Sequence, residues 1–169
     1  MPKPALRRMG RHDDRCGARG PEYVWTANNA LVFAPRGMPP ASYPVLLHLL
    51  GRQEPGGRCL VTHGTLAAEL GITRPKVTRA LQHLGFARMV WKEGNGAYRL
   101  SPLIAGFRTP AEQLQAIGAM DDDDRFDHPD FQERYEQQIE AYEEEKQAKA
   151  AERQRRLEPP IDLAARRRT

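Results

Sequence analysis

Residues 62–99 read THGTLAAELGITRPKVTRALQHLGFARMVWKEGNGAYR, and the fold turns on this stretch. Its centre has the pattern of a short helix. Thr73 is a good N-cap, because its hydroxyl can accept a backbone N–H of the first turn. Pro75 falls in that turn, where a missing N–H costs nothing. Val77, Ala80, Leu81 and Leu84 then recur at helical spacing and define one apolar face. Arg74, Lys76, Thr78, Arg79, Gln82 and His83 fall on the other faces. A short capped helix with such an outer side suits the major groove of DNA. The groove is wide enough for a helix, and Arg, Lys and Gln match the donors and acceptors of base edges.

The segment before it, THGTLAAEL, reads as a second helix with Leu66, Ala67 and Leu70 inward. Gly71 supplies the left-handed residue that ends it, and Ile72 plugs the turn. Helix, short Gly turn and helix with a polar outer face is the pattern of a DNA-reading helix-turn-helix. After it, Phe86 to Lys92 has strand character, Gly94-Asn95-Gly96 marks a tight hairpin turn, and Tyr98, Arg99 and Leu100 form the returning strand. Lys92, Asn95 and Arg99 on this hairpin would reach a flanking phosphate or the minor groove. The competing reading is a packed core with a solvated charged face. Cap, Gly turn, cationic face and hairpin all agree with the first reading.

The run GITRPKVTRALQHLGFARMVWKEGNGAYRLSP resembles the winged helix-turn-helix of bacterial MarR-type regulators. More specifically it resembles the plasmid replication proteins called RepL. In that family a similar hairpin runs into an Asn-Pro or Ser-Pro step, here Tyr98-Arg99-Leu100-Ser101-Pro102-Leu103. The resemblance spans about residues 24–117. It implies a DNA-binding protein that acts at a plasmid or phage origin, recruiting host machinery, or at a promoter.

Charge is strongly blocked along the 169 residues. Residues 36–108 hold ten cations against three anions, whereas 109–145 hold two against thirteen. The helix-and-hairpin region is thus the basic part of the chain, as expected of a duplex binder. No apolar run has the length of a membrane span, and the first twenty residues lack the apolar stretch of a signal peptide. A cytoplasmic, nucleoid-associated protein is the expectation. Cys16 and Cys59 are far apart, so a structural disulfide is not expected in a reducing compartment.

The expected organisation is a basic arm over 1–21, a winged helix-turn-helix domain over 22–118, an acidic linker over 119–128, a charged helix over 129–157 and a basic tail over 158–169. The fold class is α+β, mainly α, with disordered tails. The arm is rich in Arg, Gly and Pro. It either lies along the DNA backbone or is merely solvated. His12, Asp13, Asp14 and Cys16 lack a second Cys or His pair at ligand spacing, so no metal site is assigned. Residues 22–33, EYVWTANNALVF, form two short strands about Asn28-Asn29 or one strand and a loop. Tyr23, Trp25, Leu31 and Phe33 would cover the domain's open edge. Ser42 would cap a helix from Tyr43 to Arg52 with Val45, Leu46, Leu49 and Leu50 buried. His48 lies beside that stripe as a partly covered surface histidine. Cys59, Leu60 and Val61 would pair with the hairpin as a short strand. Beyond Pro102, Leu103 to Phe107 continues the core, and Thr109 caps a helix from Pro110 to Ile117.

Asp121 to Asp124 has no periodicity and reads as a flexible, solvated boundary. Four carboxylates could also bind a divalent cation, or mimic phosphate and compete for the basic face. In the charged helix, Phe131, Tyr135, Ile139 and Tyr142 line one face. This helix would dock on the domain or on its twin, or stand free in solvent. It is also the candidate contact for a host replication or transcription protein.

Residues at the first, second and sixth positions of a recognition helix usually meet base edges, so Arg74, Pro75 and Arg79 form the base-reading set. Thr65, Lys76, Thr78 and Gln82 are placed for phosphates or flanking bases, and Lys92, Asn95 and Arg99 belong to the wing. One domain offers few contacts, so a homodimer on half-sites about 34 Å apart is expected. The alternative is a winged-helix protein-interaction module that does not read DNA. An enzyme is not expected. The chain has no nucleotide loop, no metal-ligand set and no nucleophile with a placed base, and no cofactor is implied.

Overall fold

The structure is a computed structural model that describes residues 32–157. The expectations for residues 1–31, including the basic arm and any strand about Asn28-Asn29, lie outside the described residues, as does the basic tail. The described elements are α1 (Ser42–Arg52), β1 (Arg58–Leu60), α2 (His63–Leu70), α3 (Arg74–Phe86), β2 (Val90–Gly94), β3 (Ala97–Leu100), α4 (Pro110–Gly118) and α5 (Phe131–Leu157). The class is α+β and mainly helical. The strands form one antiparallel sheet in the order β1-β3-β2. Arg58 and Leu60 face Arg99 and Ala97 across the β1–β3 pair, one residue earlier than Cys59–Val61 implies.

The core lies where α1, α2 and α3 pack on one another and on the sheet. Val45, Leu46 and Leu49 of α1, Leu66 of α2, and Val77, Ala80, Leu81 and Leu84 of α3 are all buried there. Leu50, Ala67, Leu70 and Ile72 pack against its rim, partly covered. The apolar stripes read from spacing therefore face the core, with Leu50, Ala67 and Leu70 only partly buried. Leu103, Ile104, Ala105 and Phe107 extend the same core after the sheet.

Caps fix the ends of the central helices. Thr62 opens α2, its side chain accepting the Thr65 N–H at 3.1 Å. Gly71, at φ +64°, closes it, and Ile72 N–H returns to Ala67 O at 3.1 Å. Thr73 holds the extended N-cap backbone of α3, but its hydroxyl makes no capping bond. Ser42 is likewise not the cap of α1. It lies buried inside the first turn, and Ala41 precedes the helix. Thr109 does cap α4, accepting the Glu112 N–H at 3.2 Å.

The stretch from Phe86 to Met89 is not strand. α3 runs to Phe86 and ends in a left-handed turn at Arg88, φ +49°. Arg88 N–H bonds Gly85 O, and Met89 N–H bonds Leu84 O, both at 3.0 Å. These two bonds are the paired closure of a Schellman end, so the chain is committed to the helix end until Met89. Ala87 and Met89 are buried by it. Alternation in FARMVWK resembled a strand because both ends of the cap point inward.

The acidic stretch 119–128 also departs from a free linker. Asp122–Asp124 form one 3-10 turn. Asp123 meets Arg134 at 3.3 Å and Asp124 meets Arg88 at 3.6 Å. Phe126, only 1% exposed, joins Phe131 and Tyr135 in the domain core. The charge of this segment conceals one anchoring aromatic. Phe33, expected to cover an edge, is half-exposed, and the residues expected beside it lie outside the described range.

Candidate nucleic-acid interface

The outer side of α3 carries Arg74, Pro75, Lys76, Thr78 and Arg79, all exposed, with Gln82 half-buried. Among the described residues, Arg74, Lys76, Arg79 and Lys92 have no ion-pair partner. Six arginines elsewhere are paired, while Arg36, Arg108, Arg153, Arg155 and Arg156 are also without an ion-pair partner among the described residues. Arg52 pairs with Glu69, Arg58 and Arg99 with Glu93, Arg88 with Asp124, Arg125 with Asp127, and Arg134 with Asp123 and Asp130. The cations on α3 and its adjoining hairpin thus form a cluster in which no side chain is ion-paired, with Glu143 the one carboxylate lining the groove that Arg74 and Arg79 border. An exposed cation left so raises the local potential and favours anions at that face.

His63, in the first turn of α2, ties this face to the sheet. Its Nε2 lies 2.6 Å from the Tyr98 hydroxyl and its Nδ1 3.0 Å from Thr78 Oγ1. Thr78 donates its one hydroxyl proton to Arg74 O at 3.1 Å. It therefore accepts from His63 Nδ1–H, and in a neutral ring Nε2 accepts from Tyr98. Burial holds the pKa of the ring below the usual value, and the nearby Arg74 and Lys92 charges push the same way. So the start of α3 and the hairpin strand bring two cations to one imidazole.

Several expected contact residues have inward tasks. Thr78 completes the His63 chain. The Thr65 hydroxyl lies 2.9 Å from Thr62 Oγ1 at the cap of α2. Arg99 hydrogen-bonds Glu93 and donates to Gly56 O at 3.2 Å. Asn95 stays exposed at the β2–β3 turn, followed by Gly96 at φ +71°. That turn is pinned, because Val61 N–H donates to Gly96 O at 2.9 Å. Thr65, Thr78 and Arg99 are exposed but engaged in these bonds, whereas Arg74, Pro75, Lys76, Arg79, Lys92 and Asn95 are exposed with no side-chain bond among the described residues.

α5 runs beside α3, which the sequence pattern alone does not place. Its buried Tyr135 meets His83, with the hydroxyl 2.9 Å from Nδ1. Tyr142 packs on Phe86 with ring centroids 5.5 Å apart. His83 is therefore not on the open side of α3 but 9% exposed under α5. Burial and then Arg79 lower its pKa, and Glu143 opposes them. Where the helices diverge they leave an open groove of about 520 Å³. Arg74, Thr78, Arg79 and Gln82 wall it on one side, and Ile139, Tyr142, Glu143 and Lys146 on the other. The stripe of Phe131 to Tyr142 announced that one face would be covered. It could not say that α3 would cover it.

Cys59 is a packing residue. It is buried, and its thiol is pushed up to about 11 by burial and then by Glu54. A thiol so far from ionised at neutral pH is a poor nucleophile. Among the described residues no group of three or more His, Cys, Asp or Glu side chains is placed to hold a metal, and no helix is long and apolar enough to cross a membrane. No protein family, curated protein or solved structure matches the chain.

Proposed function

We propose that the chain is a sequence-specific double-stranded DNA-binding protein of winged-helix type. α3 is the recognition helix, and the β2–β3 hairpin is the wing. The observation that carries this reading is the unpaired set Arg74, Lys76, Arg79 and Lys92 on one side of a capped helix and its adjoining hairpin. Arg74, Pro75 and Arg79 lie at the end of α3 that enters the major groove first and read bases there. Arg74 or Arg79 clamps guanine O6 and N7, a bidentate contact that discriminates by about 1–3 kcal/mol. Lys76, Gln82, Lys92 and Asn95 bind phosphate or flanking bases. Two copies bind a palindrome or direct repeats, and the complex is associated with the nucleoid.

The biological role is that of a transcriptional regulator or of a RepL-type replication initiator. Both use the same contacts. The test is selection from a random duplex pool, followed by titration across salt. Enrichment of one motif, with affinity falling linearly in log salt, supports the reading. Genome-wide occupancy then separates the roles, since an initiator marks one origin and a regulator many promoters. A second reading, a winged-helix protein-interaction module, is favoured by the groove, whose wall includes the apolar side chains of Phe86, Ile139 and Tyr142. Tight, salt-insensitive binding to a protein with no enrichment of any duplex selects it instead.

A further inference from the structure

We propose that the second half of α5 is a phosphate-binding strip that lies across the DNA backbone beside the α3 groove. This inference rests on the DNA-binding reading above. It begins with spacing. Phe131, Tyr135, Ile139 and Tyr142 are followed by Lys146, Lys149, Arg153 and Arg156. The steps along the whole series are four, four, three, four, three, four and three, so all eight lie on one helical stripe. The first four are the residues that α5 buries or half-buries against the domain. At Lys146 the same stripe turns cationic, and every side chain from Glu143 to Arg156 is exposed. The face that grips the domain thus continues past its edge as four positive charges.

The direction of that overhang matters. Lys146 lines the groove opposite Arg74 and Arg79, so the strip starts at the side on which α3 meets a duplex. A helix with side chains is about 10–12 Å across, and the major groove is about 12 Å wide. α3 and α5 cannot both enter one groove, and α5 passes over the adjacent phosphate ridge. Residues 147–157 extend about 16 Å further at 1.5 Å per residue, a reach that spans at most about five phosphates of one strand. Of the acids nearby, Glu152 flanks the strip one turn before Arg156 and is exposed like it. Glu144 projects from the far side of α5, and Glu145 pairs with Lys149 at the surface. Exposed pairs of this kind hold weakly, so phosphate displaces the carboxylate. The acidic flank of the same helix, Glu136, Glu140 and Glu143, offers a competing occupant for the strip in a second copy.

The test is a triple variant of the full chain, Lys149→Gln, Arg153→Gln and Arg156→Gln, which keeps good helix formers and leaves Lys146 in the groove wall. Binding is measured on the selected site in a long duplex and in one trimmed to the α3 footprint. Loss of three phosphate contacts lowers the slope of log affinity against log salt by about 2–3 on the long duplex. The wild-type advantage there shrinks roughly 40-fold between 50 mM and 200 mM salt. Base preference and circular dichroism are unchanged, and the two proteins bind the trimmed duplex equally. Equal slopes on the long duplex, with the wild type binding DNA, overturn the strip and leave the function standing. Loss of a wild-type dimer in sedimentation at an unchanged slope assigns the strip to a second copy and likewise overturns it. A wild type that binds no duplex overturns both.

Discussion

The Tyr98 hydroxyl and His63 Nε2 lie 2.6 Å apart in a hydrogen bond that joins the middle of the sheet to the first turn of α2. A neutral ring that gives Nδ1–H to Thr78 accepts from the Tyr98 hydroxyl at Nε2, whereas a protonated ring would have to donate there. His83, under α5, is also held below its ordinary pKa by burial. Both shifts have the same consequence for stability. In the window below about 6.5 the unfolded imidazoles take up protons that the folded ones still refuse. The unfolded state then binds more protons, so stability falls as pH falls through that window and is fully present above it. Urea midpoints measured from pH 7.5 down to 5.5 should decline, and less steeply in a His63→Gln, His83→Gln variant. A flat or rising profile over that range would contradict the neutral rings.

Arg88 occupies a position that favours glycine. At φ +49° its Cβ crowds the following carbonyl, at a cost of roughly 1–2 kcal/mol. Its ion pair to Asp124 at 3.6 Å is partly exposed and worth at most about 1 kcal/mol. Relief of strain therefore outweighs or balances loss of the pair. Arg88→Gly should be neutral to stabilising by about 1 kcal/mol in equilibrium unfolding, while Arg88→Val should destabilise. A marked loss in the glycine variant would mean that the Asp124 contact holds the acidic turn in place.

Phe126 tests whether residues 119–128 belong to the domain. Its ring is buried between the acidic turn and Phe131, with centroids 6.1 Å apart. Removing a buried Phe side chain costs about 3–5 kcal/mol. Phe126→Ala should lower stability by that order and loosen α5, whereas Phe33→Ala, at a half-exposed site, should change it by less than about 1 kcal/mol. If Phe126→Ala unfolds no more easily than Phe33→Ala, the acidic stretch is only a tether.

These cases mark what the chain's pattern could and could not disclose. Val77, Ala80, Leu81 and Leu84 repeat at 3.6 residues, and a buried helical face has to do so. Gly71 and Gly96 stand where the backbone needs positive φ. Such signals are local, and they gave the helix pair and the hairpin turn. The partner of a stripe is not local. Phe131 to Tyr142 announced burial, but α3 as the covering surface depends on how residues 119–130 fold back. The same holds for His83, whose polarity suggests solvent but whose neighbour Tyr135 is 52 residues away. The task of Arg99 was equally hidden. Only the hairpin and β1 bring Glu93 and Gly56 O to it.

Arg79 and Arg99 make the sharpest comparison, because composition treats them alike and their surroundings do not. Arg79 is exposed and, among the described residues, has no ion-pair partner. Arg99 is held by Glu93 and donates to Gly56 O. Arg79→Ala should leave stability within about 0.5 kcal/mol. It should weaken the selected site by about 5- to 150-fold, the equivalent of 1–3 kcal/mol, and random duplex far less. Arg99→Ala should do the reverse. It removes a charge-assisted bond network that braces the hairpin, lowering stability by about 0.5–1 kcal/mol while site preference is retained. Competition binding with cognate and scrambled duplexes, beside urea unfolding of each variant, separates the two. Equal loss on both duplexes would make Arg79 a phosphate contact. Loss of site preference in Arg99→Ala would mean that Arg99 leaves Glu93 for a base when the duplex is bound.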